Sequence, residues 1–189
     1  MKRKEEIIRR AVEVFEQKGV SGSSFEDIAE AVGIKREGLY YYFRDRAAIL
    51  VEITLEPSRN LLKGLHDILE INQSSEAKLR LALENHLDRF DPNYLEMAVA
   101  LREHHIYETN EEMEILRQVW KQYSDLWIKL IREGQASGSF QSSQNPKLVA
   151  YGVLGMCNWL SRWYDPGKDI PVTEVIDTYF NMILNGISA

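Results

Sequence analysis

The chain has one cysteine among its 189 residues, which excludes an intramolecular disulfide and argues against any cysteine-based zinc site. Cys157 sits in LVAYGVLGMCNWL, residues 148–160, where a thiol serves as a small buried hydrophobe. That stretch is the longest nearly uncharged apolar run, and it falls short of the roughly 20 residues a membrane span needs. It fits a buried core helix. A secretory signal is missing too, because MKRKEEIIRRAVEVF starts basic but interrupts its apolar residues with charges every few positions. A cytoplasmic protein with no membrane partner is the expectation. Also lacking are an activated Ser/His/Asp set, a phosphate-cradling glycine loop and a spaced metal cluster. His104 and His105 are adjacent, so on a helix their imidazoles point about 100° apart and do not share a metal. They read as solvent-facing or hydrogen-bonded, and no catalytic residue, metal ligand or cofactor is expected.

What is present is the composition of a folded soluble protein, 44% apolar and 28% charged, with a formal net charge of -6. An acidic total argues against nucleic acid, but the distribution matters more than the sum. From residue 1 to 46, ten Lys/Arg stand against nine Asp/Glu, and the whole acidic excess lies in the remainder.

Strand alternation is almost nowhere and helical periodicity almost everywhere, so the expected fold class is all-α with about nine helices. In KRKEEIIRRAVEVFEQKGV, Ile7, Ile8, Ala11, Val12, Val14 and Phe15 make one face and Gly19 ends the helix. Ser23 or Ser24 then N-caps a short helix with Glu26 or Asp27 in its first turn, and Gly33 breaks it before a third helix opening at Lys35 or Arg36. Two short helices around a glycine-containing turn make a helix-turn-helix pattern. A long helix follows from Asp45, which Pro57 should kink or break. Further helices are expected over 75–90, 92–105, 109–133, 146–164 with Asn145 as cap, and from a Thr173 cap to about 185. The 146–164 helix is apolar nearly all round, so a second copy of the chain is expected to cover it, together with 173–185, in a four-helix homodimer interface.

The segment GIKREGLYYYFRDR, 33–46, gathers aromatic and basic side chains. A recognition helix presents basic or polar groups at its N-terminal end to base edges, with tyrosines and cations further on holding phosphates. Lys35 and Arg36 fall at that end, and Arg36 is the residue type that bonds a guanine edge in bidentate fashion. The competing reading makes these tyrosines packing residues of a helical domain.

The longer stretch SSFEDIAEAVGIKREGLYYYFRDRAAIL resembles the DNA-binding signature of Tet repressor (TetR) family regulators, T-S-x-x-x-I-A-x-x-A-G-V-S-K-G-x-L-Y-x-Y-F-x-s-K. The resemblance implies a helix-turn-helix DNA-binding domain at 1–46 and a C-terminal helical ligand-binding and dimerisation domain at 47–189. It implies that Leu39 and Phe43 anchor the recognition helix and that Tyr40 and Tyr41 approach bases or sugars. Tyr42 and Arg46 would contact phosphate, and Ser23 and Ser24 would meet the DNA backbone. Glu37 and Gly38 depart from the family's usual small and hydroxyl residues at two positions of the DNA-facing surface. The function implied is a dimeric repressor binding palindromic double-stranded operator DNA and released by a small-molecule effector.

Candidate effector contacts are the aromatic stripe Trp120, Tyr123 and Trp127, and Trp159, Arg162 and Trp163 in CNWLSRWYDP. The latter resembles N-W-x-x-R-W-Y-x-P in a branch of the family answering to acyl-CoA thioesters, so Arg162 is a candidate for a phosphate or pantetheine carbonyl. It is equally suited to cap a helix end or pair with Asp165. Pro57 is either a hinge of the fourth helix or a tolerated proline. The alternative function is an all-helical enzyme or small-molecule carrier whose N-terminal helices are structural.

Overall fold

The computed structural model describes residues 2–87, 111–165 and 167–188; the expected helix over 92–105, with His104 and His105, lies outside them. Eight helices occur among the described residues: α1 Lys2–Lys18, α2 Phe25–Val32, α3 Arg36–Tyr40, α4 Arg46–Glu70, α5 Ser75–Leu87, α6 Glu111–Ala136, α7 Pro146–Trp163 and α8 Val172–Ile187. Apart from one isolated antiparallel bridge, Phe140 to Ser188, no β pairing appears among them. They gather into two compact units, one holding residues 2–57 and 111–117, the other 58–87, 118–165 and 167–188.

In the first unit the 3.6-residue period buries Ile7, Ala11, Val14 and Phe15 on α1 and Phe25, Ile28, Ala29 and Val32 on α2. Each large apolar side chain so buried contributes about 1.5–3 kcal/mol. Ser24 is the cap the sequence left between two serines. Its Oγ accepts from the Asp27 N–H at 3.0 Å, and its own N–H donates to Asp27 Oδ2 at 2.7 Å. Lys18 reaches the same carboxylate at 2.6 Å, and together these partners hold the Asp27 carboxyl down at about 2. Gly33 closes α2 with φ 71°, a left-handed backbone that side chains with a β-carbon rarely adopt. The chain can therefore turn sharply into α3.

In the second unit Leu65, Leu83, Trp127, Leu130, Cys157 and Leu160 are among the side chains forming one core. Burial pushes the Cys157 thiol up to about 12, so it stays protonated and inert.

Helix α4 runs through Pro57, so of the kink or break expected there the break does not occur. A proline inside a helix costs about 3 kcal/mol, but Ile49, Leu50 and Val51 before it and Leu65 and Leu69 after it are buried, and their burial outweighs that cost. Helix α8 starts at Val172, with extended Pro171 at the cap position and no side-chain cap. The Glu174 N–H bonds the Pro171 carbonyl at 3.0 Å, so Thr173 is inside the first turn and does not cap.

Candidate nucleic-acid interface

Helix α3 is only five residues long, too short to persist without tertiary anchors. Leu39, fully buried, and Phe43, nearly so, supply them. The Tyr42 and Phe43 N–H groups both donate to the Leu39 carbonyl, at 2.9 and 3.0 Å, which curls the chain after the helix. With the inner face pinned, the outer face holds Lys35, Arg36, Glu37 and Gly38 in solvent. Tyr40 is 47% exposed, Tyr41 84% and Tyr42 37%. All three tyrosines therefore present ring surface to solvent beside the basic residues. A β-carbon on Gly38 would meet only Ile34, at 3.7 Å, so the glycine leaves this surface low without being required by packing.

Tyr40 and Arg36 form one unit. Arg36 donates from Nε and Nη2 to the Tyr40 hydroxyl at 3.0 and 2.7 Å, and its guanidinium carbon lies 5.4 Å from the Tyr40 ring centre. Its remaining terminal nitrogen, Nη1, pairs with Glu26 on α2. The Tyr40 hydroxyl, more than Glu26, holds the Arg36 guanidinium above its ordinary pKa. Tyr40 in turn rests on Phe25, ring centres 5.0 Å apart. Glu26 was not among the candidates for this surface, because its partner lies ten positions away on another helix and no local spacing signals the pair.

Two expected backbone contacts are placed otherwise. Ser23 is buried and its hydroxyl donates to the Val20 carbonyl at 2.9 Å, so it does not present a hydroxyl to DNA. Arg46 is half-buried and donates from Nη1 to the Val20 carbonyl at 2.7 Å and to that of Ser23, so one terminal nitrogen ties α4 to the turn before α2. These corrections share a cause: the α1–α2 turn carries carbonyls that must be satisfied as it packs. Arg44, missed from sequence, is exposed and pairs with Asp45 at 3.0 Å.

The six candidate effector residues divide between two places in the second unit. Tyr123 and Trp127 are buried and in ring contact, 6.4 Å apart, while Trp120 is partly buried and donates to Ser58 Oγ at 3.1 Å. His86 on α5 completes this cluster; its Nδ1 is 2.8 Å from the Tyr123 hydroxyl and its ring stacks on Tyr123 at 5.7 Å. The Trp127 indole N–H has no hydrogen-bond partner among the described residues. Trp159, Arg162 and Trp163 instead stand on the exposed side of α7. Asp165 is engaged by Lys168 at 3.5 Å and by the Gly167 N–H at 2.9 Å, and Arg162 has no ion pair among the described residues. An open groove of about 440 Å³, lined by Arg59, Leu62, Lys63, His66, Gln122, Asp125 and Leu126, includes none of the six. No group of His, Cys, Asp and Glu suited to a metal ion occurs among the described residues, and no helix of those residues is long and apolar enough to cross a membrane.

Comparison with known proteins bears on both units. Residues 7–53 match the bacterial regulatory proteins of the tetR family, and residues 72–187 match the tetracyclin repressor-like C-terminal domain. The chain is 26% identical over 188 residues to the HTH-type transcriptional repressor KstR2 of Rhodococcus jostii, covering 99% of this chain and 92% of that protein. Among solved structures, the TetR family regulator PfmR of Thermus thermophilus superposes with a TM-score of 0.77 at 26% identity, covering 95% of this chain and 97% of that one. AibR, solved with isovaleryl coenzyme A and operator DNA, has the same fold, with a TM-score of 0.77 at 19% identity over 95% of this chain and 97% of its own.

Proposed function

Given that the chain belongs to the TetR family and is a DNA-binding transcriptional regulator, not an enzyme, we propose that it acts as a homodimeric repressor of a palindromic operator and is released by an acyl-CoA thioester. The observation that carries the DNA-binding surface is the pinned helix α3, with Leu39 and Phe43 buried and Lys35, Arg36 and the three tyrosines in solvent. One such helix reads a half-site, and a two-fold dimer reads two in successive major grooves. The α7 face supports the dimer. Leu148, Tyr151, Gly152 and Gly155 are exposed along it, and Met182 is exposed on α8. Contiguous apolar surface of this kind is normally covered by a partner, and β-carbons on Gly152 and Gly155 would meet nothing within 4 Å, leaving room for a second helix to approach.

For the effector, Arg162 between exposed Trp159 and Trp163 offers a guanidinium for phosphate and indole faces for a nucleobase. Buried Trp127, with its indole N–H, and the His86–Tyr123 pair suit the acyl end. AibR's complex with isovaleryl coenzyme A is of the same ligand class, on the same fold. The test begins by incubating the protein with sheared DNA of its source genome and sequencing the retained fragments. An enriched palindrome bound by two protomers in sedimentation, and released by acyl-CoA but not by coenzyme A or free fatty acid, is expected. Release by the free acid alone would remove the thioester from the proposal.

A further inference from the structure

We infer that Glu26 sets the sequence discrimination of Arg36, holding its guanidinium off DNA phosphates until a guanine edge displaces the carboxylate. The inference rests on the DNA-binding role of α3. Every nitrogen of the Arg36 guanidinium is engaged within the protein: Nε and Nη2 with the Tyr40 hydroxyl, and Nη1 with Glu26. Tyr40 is itself fixed against Phe25, a buried residue of the same helix as Glu26, so both holding groups are referenced to α2. The charged pair is about half exposed on both sides, 52% and 53%.

The consequence follows from comparing exchanges. Moving an arginine from an exposed carboxylate to an exposed phosphate replaces one screened ion pair by another and gains little. Moving it to the O6 and N7 of guanine gains two directed hydrogen bonds, worth more than the pair given up. Arg36 therefore stays with Glu26 on non-specific DNA and leaves it only at a cognate base. Glu37, the next residue in the chain, adds a second carboxylate near the guanidinium. A neutral residue at position 26 would free Arg36 to join any phosphate, raising background binding across a genome of competing sites.

The experiment uses the full chain as wild type, Glu26→Gln, Arg36→Ala and the double variant, titrated by fluorescence anisotropy onto a random-sequence duplex between about 50 and 200 mM salt, where phosphate contacts reveal themselves as counterion release. Glutamine keeps the shape of the side chain, and an exposed substitution of this kind shifts stability by about 0.5 kcal/mol or less, so all four proteins can be compared folded. We expect Glu26→Gln to bind several-fold tighter, with a log–log salt slope steeper by about 0.9 per protomer. Arg36→Ala is the reference background, and adding Glu26→Gln to it should steepen the slope no further. An equal gain from Glu26→Gln in the Arg36→Ala background would overturn the inference, since Glu26 would then act only by repelling phosphate. No change from Glu26→Gln would overturn it too. A wild type that fails to bind at low salt would count against the DNA-binding surface itself and remove the inference with it.

Discussion

Arg46 Nη1 donates to the Val20 carbonyl at 2.7 Å, joining the first residue of α4 to the turn after α1. The same nitrogen reaches the Ser23 carbonyl, next to the Ser24 cap of α2, so one cation organises the junction of three helices. Arg46→Ala is expected to lower stability by about 1–3 kcal/mol, the range for losing charge-assisted bonds to partly buried carbonyls. Urea unfolding measures it. An unchanged unfolding midpoint with weakened DNA binding would restore Arg46 to a phosphate-contact role alone.

Tyr41 separates the two roles in the opposite way. At 84% exposure its ring meets Tyr42 edge-on, at 5.1 Å. Tyr41→Ala should weaken operator binding about tenfold per protomer while moving stability by less than about 0.5 kcal/mol. Melting curves and anisotropy titrations on one preparation give both values. Lost stability in the alanine variant would return Tyr41 to the packing role the tyrosine run first allowed.

These two residues mark where the sequence was legible and where it was not. Ser24 and Gly33 lie in patterns of local cause, a cap three residues before an aspartate and a left-handed glycine, each readable from neighbours in the chain, whereas the anchoring roles of Leu39 and Phe43 are what the family resemblance implied. Ser23 and Arg46 follow from a long-range event, the closing of the α1–α2 turn against α4, and so do Glu26 on Arg36 and His86 on Tyr123. Thr173 was misread because threonine and extended proline both serve as boundary signals, and Pro171 takes the cap two residues earlier. The α7 stripe was readable as apolar; that both of its tryptophans point outward was not.

Asp27 predicts a pH response. Its folded carboxyl sits at about 2 against an ordinary 3.8, chiefly through Lys18 and then Ser24. A depressed folded pKa means stability that is present above the unfolded value and lost as pH falls through the folded one. Wild type should therefore melt higher than Asp27→Asn at neutral pH, and the gap should close between about pH 4 and pH 2. Thermal melts of both proteins across that range check the sign. A gap that stays constant on acidification would mean that the capping bonds do not depend on the charge.

Arg162 tests the effector assignment apart from DNA binding. The side chain is exposed and without an ion pair among the described residues, so its removal leaves no stranded carboxylate. Arg162→Ala should weaken acyl-CoA binding by about 1.5–3 kcal/mol, the worth of a hydrogen bond to a charged group, and leave operator affinity as it was. Calorimetry with an acyl-CoA, set beside operator titrations, distinguishes this from a general loss. Unaltered acyl-CoA affinity would move the head group elsewhere, with the Arg59 and Lys63 groove the next place to look.

Gly134 sets intrinsic propensity against packing. On propensity alone, alanine inside α6 should gain about 1 kcal/mol. A β-carbon there, however, would lie 2.0 Å from the Phe140 ring, a distance no side-chain contact survives. Phe140 cannot retreat easily: it is buried, its N–H donates to the Gly134 carbonyl at 3.0 Å, and it bridges to Ser188 beyond α8. Overpacking of this kind costs about 1–3 kcal/mol, which exceeds the helical gain. Gly134→Ala should therefore be destabilising, and Gly134→Ala with Phe140→Leu should recover part of the loss because the smaller side chain leaves the β-carbon room. A stabilised single variant in urea unfolding would mean that the end of α6 yields to the new methyl, and that Phe140 is held less firmly than its burial implies.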